Sequence, residues 1–288
     1  MKCIICKKTK FTIVWKDKLR NSRNTFTKKK EIVLKCDNCS LVFLKKLKKN
    51  LENSFVTRNK FNKNNSIKEF YNFHYKREIK KLKSVMTLIK PFNKSILESN
   101  CGAGIILNHL KKKCKDTTGV DDINYKNHLI SNGHFFFENL EEIKNKQYDI
   151  IFSLSELEHK YDPISFLRKL KNLIKKNGII ILRVPNYNNI YLLLLDYYFK
   201  KYDFRTSHNF YFSEKNLDIL FKKLKFKIFK KIGHNEYNLN HMLTYVKNKK
   251  RVNANEVQNY FNKNINYYIK ANIEKNFIST SLIYILKR

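Results

Sequence analysis

The stretch Ser95-Ile96-Leu97-Glu98-Ser99-Asn100-Cys101-Gly102-Ala103-Gly104 decides the fold. Ile96 and Leu97 form a short apolar run ending at the carboxylate of Glu98. A turn with two glycines follows, and a helical pattern begins at Ile105. Strand, acid, glycine turn and helix, in that order, build a nucleotide pocket at the carboxyl end of the first strand of an α/β sheet. Gly102 and Gly104 let the backbone approach a ligand without a Cβ in the way, and the helix start adds oriented N–H donors. The dinucleotide fingerprint G-x-G-x-x-G is excluded, because it needs glycine where Asn100 and Ile105 stand.

Downstream, Ile106, Leu107 and Leu110 continue the helix, and residues 117–120 form a short strand closed by Asp121-Asp122. An acid at the end of the second strand is positioned to hold ribose hydroxyls, since a carboxylate accepts both O–H groups in charge-assisted bonds. Asp121 is the first choice and Asp122 the reserve. A short helix (125–131), a strand (134–137) and Glu138-Asn139-Leu140 come next. Residues 148–153 read as a buried strand, followed by Leu154-Ser155-Glu156-Leu157-Glu158-His159. Asp162 is an N-cap with Pro163 at the first helical position, Phe166, Leu167, Leu170, Leu173 and Ile174 give the apolar face, and Asn177-Gly178 is expected to stop that helix. Residues 179–184 form a strand, apolar except for Arg183. The aromatic, Leu-rich stretch 187–206 is expected over the substrate mouth, or packed in the core or a dimer. Ser213 caps a helix with Leu217, Leu220, Phe221 and Leu224 on its apolar face. Residues 226–232 and 278–286 read as antiparallel edge strands, and 234–275 as helices without an evident role.

Upstream, Cys3-x2-Cys6 and Cys36-x2-Cys39 each put two thiolates on one tight turn. Two such turns together make the four-sulfur cage that Zn²⁺ favours, with strands around 11–15 and 31–34 completing a zinc ribbon. Lys7 and Ser40 stand where glycine often follows the second cysteine. Residues 44–75 read as a polar linker dotted with aromatics (Phe55, Phe61, Phe70, Tyr71, Phe73, Tyr75) that becomes a cap, and Ile79, Leu82, Met86 and Ile89 mark a helix leading into the first strand.

The 288 residues, 42% hydrophobic, suffice for one α/β domain and a small appendage. A formal net charge of +36 invites a nucleic-acid partner, but Lys and Asn are abundant throughout while Gly (6) and Pro (3) are scarce. That pattern indicates a bias of the whole composition rather than a basic patch. The amino terminus shows no apolar leader, and the longest apolar run, 190–199, contains Asp196 and is too short to span a bilayer. A cytoplasmic protein with reduced cysteines is expected.

Residues 98–104 resemble motif I of the class I S-adenosylmethionine (SAM) methyltransferases, roughly [DE]-x-G-x-G-x-G. Glu98, Gly102 and Gly104 match, and Asn100 replaces the first glycine as the residue type that best tolerates a left-handed backbone. Residues 149–186 resemble the long signature of one large methyltransferase subgroup: Asp149 before the fourth strand, Glu158-His159 after it, Asp162-Pro163, Asn177-Gly178, the fifth strand and Pro185-Asn186. His208 through Phe212-Ser213 resembles the subgroup's His-x-x-x-Phe-Ser segment. The resemblance implies a Rossmann-like α/β fold, a seven-stranded mostly parallel sheet with helices on both faces, behind the ribbon. The expected divisions are 1–45 ribbon, 46–90 linker and leading helix, 91–232 SAM-binding core, and 233–288 carboxyl-terminal helices and last strand. It implies SAM as cofactor, with Glu98, Asn100, Gly102, Gly104, Asp121, Asn139, Leu140 and Ser153 in its pocket and His208 and His159 near the transferred methyl. Zinc-ribbon methyltransferases of this type resemble enzymes acting on nucleotide-linked sugars, which implies a small-molecule, saccharide acceptor. A quinone-type O-methyltransferase, a nucleic-acid-binding protein and a degenerate scaffold are the alternatives.

Overall fold

In the computed structural model, which describes residues 1–21, 25–49, 66–249, 252 and 254–288, the deciding stretch becomes the central strand of a seven-stranded sheet. Phe55 and Phe61 lie outside the described residues. In chain order the elements are β1 (Phe11–Asp17), β2 (Glu31–Cys36), β3 (Val42–Leu44), α1 (Ile67–Met86), β4 (Ser95–Ser99), α2 (Ile105–Leu110), β5 (Asp116–Val120), α3 (Lys126–Ser131), β6 (Phe135–Phe137) and β7 (Tyr148–Leu154). They continue with α4 (Pro163–Leu173), β8 (Ile174–Pro185), α5 (Ile190–Asp203), β9 (Phe210–Tyr211), α6 (Glu214–Lys223), β10 (Lys227–His234), α7 (Leu239–Asn248), α8 (Lys263–Lys275) and β11 (Ser281–Lys287).

The large sheet has the order β10-β11-β8-β7-β4-β5-β6. Its strands from β8 to β6 pair in parallel, whereas β11 is antiparallel to both β8 and β10. Successive side chains of a strand point to opposite faces, so near-continuous apolar runs imply burial on both. Leu97, Ile151 and Tyr284 pack in one core with Leu167 and Leu170 of α4 and Phe221 of α6. Their neighbours Ile96, Ile150 and Ile283 pack in a second core with Leu82 of α1, Ile106 of α2 and Leu129 of α3. Helices therefore cover both faces.

Three sequence expectations need correction. The last strand is not an edge: β11 inserts between β8 and β10, and of these two strands β10 is the one at an edge. Asn177-Gly178 does not stop a helix, since α4 ends at Leu173 and Ile174 already pairs with Tyr148. The register then slips before Ile150 pairs with Ile179, so Asn177-Gly178 belongs to a bulge inside β8. A Cβ at Gly178 would meet the Asp149 carbonyl at 2.9 Å. Finally, the leading helix starts earlier than its apolar spacing suggests, at a capping box in which Ser66 and Glu69 satisfy each other's backbone N–H groups.

The ribbon is joined to the large domain through backbone. β1, β2 and β3 form a sheet whose fourth strand is β9, from the His208–Ser213 segment. Cys3, Cys36, Cys39 and Phe43 share a core with Phe210 and Leu217. Both knuckles close with matching hydrogen bonds, Lys7 N–H to the Cys3 carbonyl at 3.0 Å and Ser40 N–H to the Cys36 carbonyl at 2.9 Å. Lys7 (φ 63°) and Ser40 (φ 60°) hold the left-handed conformation that glycine would normally supply.

Candidate functional site

A cleft of about 1150 Å³ runs along the carboxyl ends of β4, β5, β7 and β8. Glu98, Asn100, Gly102, Asp121, Asn139, Leu140, His159 and His208 all line it. Gly104 and Ser153 are not among its lining residues. A Cβ at Gly104 would meet Leu129 at 2.6 Å, and the Ser153 hydroxyl donates to Glu156 at 2.9 Å.

The motif I turn is held by left-handed residues at Asn100 (φ 58°), Gly102 (φ 56°) and Gly104 (φ 69°). Asparagine thus adopts the conformation of the glycine it replaces. The Gly102 N–H donates to Asp121 Oδ2 at 2.6 Å, and the Asp122 N–H donates to Oδ1 at 2.8 Å. The carboxylate is fixed in orientation at the end of β5. Asn139 caps a one-turn helix, accepting from the Glu141 N–H at 3.1 Å and donating to Glu142 Oε1 at 2.5 Å. Its amide is thus engaged within its own turn, while Leu140 presents an apolar surface. These residues fit a nucleoside: a turn without side-chain bulk, an oriented carboxylate and an apolar neighbour lie around one cleft.

At the other end, the one-turn helix Leu157–His159 follows β7 and places Glu158 and His159 against His208. The histidine rings meet edge-on with centroids 4.9 Å apart. Burial pushes the Glu158 carboxyl up to about 7, with Arg183 and Arg205 opposing and Glu156 adding to the rise. Burial, reinforced by Arg205, His159 and Arg20, holds His208 well below the ordinary histidine value. Asn209 ties this floor to the ribbon: its side chain accepts from the Lys48 N–H at 2.8 Å and donates to the Lys48 carbonyl at 2.9 Å and the His159 carbonyl at 3.1 Å.

Sequence reasoning missed part of the wall. Arg183 lines the cleft, donating to Ser155 and pairing with Glu236 at 2.5 Å. A lone cation in an apolar strand was the available signal. Tyr237, His241 and Tyr245, from the stretch with no evident role, also line it, with Tyr237 stacked on His241 at 4.0 Å. Tyr191, Phe199 and Tyr202 of α5 line the same cleft, and Tyr191 and Leu195 also pack in a core with Met242 and Tyr245. Of the leading helix's aromatics, Phe70 lines the cleft and Phe73 is exposed. Arg20, from the ribbon side, reaches the cleft because its backbone pairs with Arg205 and its Nε donates to the Tyr202 carbonyl at 2.6 Å.

The cleft is not basic. Among the described residues, eleven Asp and Glu line it against eight Lys and Arg, within a chain that carries 24 acids and 60 bases. The positive charge is therefore spread over the outside, and the interior is no cradle for a polyanion.

At the amino terminus, the four sulfurs of Cys3, Cys6, Cys36 and Cys39 lie within 4.8 Å of one another, with Cys3–Cys39 at 3.5 Å and Cys6–Cys36 at 3.4 Å. Zn–S bonds of the usual length imply sulfur separations of ~3.8 Å in a tetrahedron, so the donor set fits zinc.

A parallel sheet with its last strand inserted antiparallel, and a glycine turn locked to the acid of the neighbouring strand, define a Rossmann-like methyltransferase fold. The methyltransferase domain family matches residues 71–231, more than half of the chain, and the protein belongs to that family. Two relatives are ubiquinone biosynthesis O-methyltransferases. The one from Haemophilus ducreyi is 27% identical over 110 residues, covering 33% of this chain and 47% of the relative. The one from Hydrogenovibrio crunogenus is 30% identical over 122 residues, covering 36% and 48%. The chain thus spans less than half the length of these relatives. Among solved structures, a SAM-dependent methyltransferase from Thermotoga maritima superposes with TM-score 0.52 at 15% identity, over 82% of this chain and 97% of that one. It supports the fold. No helix among the described residues is long and apolar enough to cross a membrane.

Proposed function

We propose that the protein transfers the methyl group of SAM to a small-molecule acceptor bound in the same cleft. The observation that carries this is the Asp121–Gly102 hydrogen bond at 2.6 Å, which locks the motif I turn to the ribose-side acid beside Glu98. SAM, when bound, supplies an electrophilic methyl on a sulfonium. Asp121 would accept the ribose hydroxyls, Leu140 and the turn at Asn139 would bound the adenine, and Asn100, Gly102 and Glu98 would border the methionine portion. Gly104 and Ser153 would act from behind the wall, Gly104 through close packing and Ser153 by holding Glu156. His159 and His208 would line the acceptor beside the methyl. The protein mainly contributes orientation and exclusion of water. Cys3, Cys6, Cys36 and Cys39 would hold a structural Zn²⁺.

A saccharide or nucleotide-linked sugar is the acceptor we favour, because the wall is rich in charged and hydrogen-bonding side chains with aromatic faces at Tyr191 and Tyr237. A quinone-type phenol is the second reading, favoured by the names of the relatives. The acid-rich interior speaks against nucleic acid. The test is methyl transfer from labelled SAM to a panel of nucleotide-linked sugars, catechol-type phenols and oligonucleotides. Label on sugars alone supports the saccharide reading, and label on phenols alone replaces it. Label on oligonucleotides, or on no member although S-adenosylhomocysteine binds, overturns both.

A further inference from the structure

Glu158 and His159 come from the turn after β7, and His208 from the segment between α5 and β9. The two meet at the cleft, where the Asn209 N–H donates to the Glu158 carbonyl at 2.9 Å. A carboxylate oxygen and one ring nitrogen of each histidine lie within 4.8 Å of one another. They do not satisfy each other. His159 Nε2 stands 3.9 Å from Glu158 Oε1, beyond hydrogen-bond reach. Glu158 Oε2 and His208 Nδ1 are buried without a partner. His159 Nδ1 donates to the Ser207 carbonyl, and its Nε2 faces the carboxylate. Buried polar atoms without partners require an explanation. Among the described residues nothing partners these two atoms, and the O–H or N–H of a methyl acceptor in the cleft would do so.

We propose that Glu158 takes the proton from the acceptor's nucleophilic atom, while His208 Nδ1, carrying its N–H, holds that atom against it. The inference rests on the methyl-transfer reading. As the acceptor oxygen or nitrogen forms its bond to the methyl carbon, the carbon–sulfur bond of the sulfonium breaks, its electron pair stays on sulfur, and the acceptor proton passes to Glu158 Oε2. His208 is the weaker choice for this proton, because Arg205, Arg20 and His159 face it and disfavour a further positive charge. Glu158 is faced by Arg183 of β8, by Arg205 of the segment before β9, by Glu156 of its own turn and by the two histidines. Burial outweighs the two guanidinium groups, so its affinity for a proton suits transfer at neutral pH.

The test uses zinc-replete, full-length protein freed of Mg²⁺ and Mn²⁺ and saturated with S-adenosylhomocysteine. Carboxyl ¹³C and imidazole ¹⁵N spectra are followed against pH in wild type and Glu158→Gln. The expected result is a Glu158 carboxyl that titrates near 7, with inflections of His159 and His208 at the same midpoint that vanish in the variant. With any acceptor that is methylated, Glu158→Gln should lower kcat by roughly 10²–10⁴-fold and leave S-adenosylhomocysteine affinity within about twofold. A Glu158 carboxyl titrating below about 5, or histidine inflections that persist in the variant, would overturn the proposal. So would micromolar Mg²⁺ or Mn²⁺ shifting all three groups together, which would make the cluster a cation site. Failure of the methyl-transfer reading would appear separately, as absence of S-adenosylhomocysteine binding.

Discussion

Replacing Glu158 by Gln should stabilise the protein increasingly as pH rises. The carboxyl is 1% exposed, and burial lifts it from its ordinary 4.5 to about 7. The folded state therefore binds this proton more tightly than the unfolded state does. Its contribution to stability is complete below the unfolded value and is lost as pH rises through the folded one. At about 1.4 kcal/mol per pH unit, the loss accumulated between pH 4.5 and 7 is roughly 3 kcal/mol. Glutamine cannot ionise, so the variant escapes this loss, and any fixed cost of the amide is independent of pH. The assay is urea unfolding of both proteins at matched pH values from 4.5 to 8, read as the difference in stability. Titrating groups away from Glu158, His159 and His208 cancel in that difference. It should be level near pH 4.5, climb by roughly 3 kcal/mol through neutrality and level off. A difference that does not change with pH, or that falls, would refute the reasoning and mean that Glu158 ionises in the folded protein like an ordinary carboxylate.

Other consequences concern the ribbon and the motif I turn. Asn209→Ala deletes bonds to both Lys48 backbone groups and to the His159 carbonyl. It should cost ~2–4 kcal/mol in urea unfolding, with S-adenosylhomocysteine affinity little changed. Stripping metal with a strong chelator should release about one equivalent of zinc, measured by a colorimetric zinc dye, and raise amide exchange in β1–β3 and in β9, which pairs with β3. Gly104→Ala puts a methyl 2.6 Å from Leu129 at φ +69°. It should lower stability by ~1–3 kcal/mol and weaken S-adenosylhomocysteine binding by calorimetry.

Much of the large sheet was legible because its strands are apolar on both faces and its turns carry strong local chemistry. Asp162-Pro163 starts a helix as expected, with Asp162 accepting from the Ile164 and Ser165 N–H groups at 3.0 Å. Asn100 in place of glycine was legible too, since residue type alone forecast its left-handed backbone. Strand order was not. The placement of β11 between β8 and β10 depends on pairing across the chain, which period and propensity do not encode. Asn177-Gly178 misled because the same dipeptide serves a helix stop and a bulge, and only the close approach of the Asp149 carbonyl distinguishes them. The part of the cleft around the motif I turn was legible, because those residues are close in sequence. Arg20, Glu236 and Tyr237 reach it from distant segments whose Lys/Asn-rich composition masks any pattern. The union of ribbon and catalytic domain through β3 and β9 was equally hidden, because a two-residue strand leaves no periodic signal.

The central claim is that the cleft binds a SAM-type nucleoside through the motif I turn and Asp121. Calorimetric titration of S-adenosylhomocysteine into the zinc-replete protein tests it most directly, with Asp121→Ala alongside. The account predicts micromolar, one-to-one binding that Asp121→Ala weakens by at least roughly tenfold, as expected for loss of charge-assisted bonds to ribose. No heat of binding with the folded wild-type protein, or equal affinity in the variant, would contradict it.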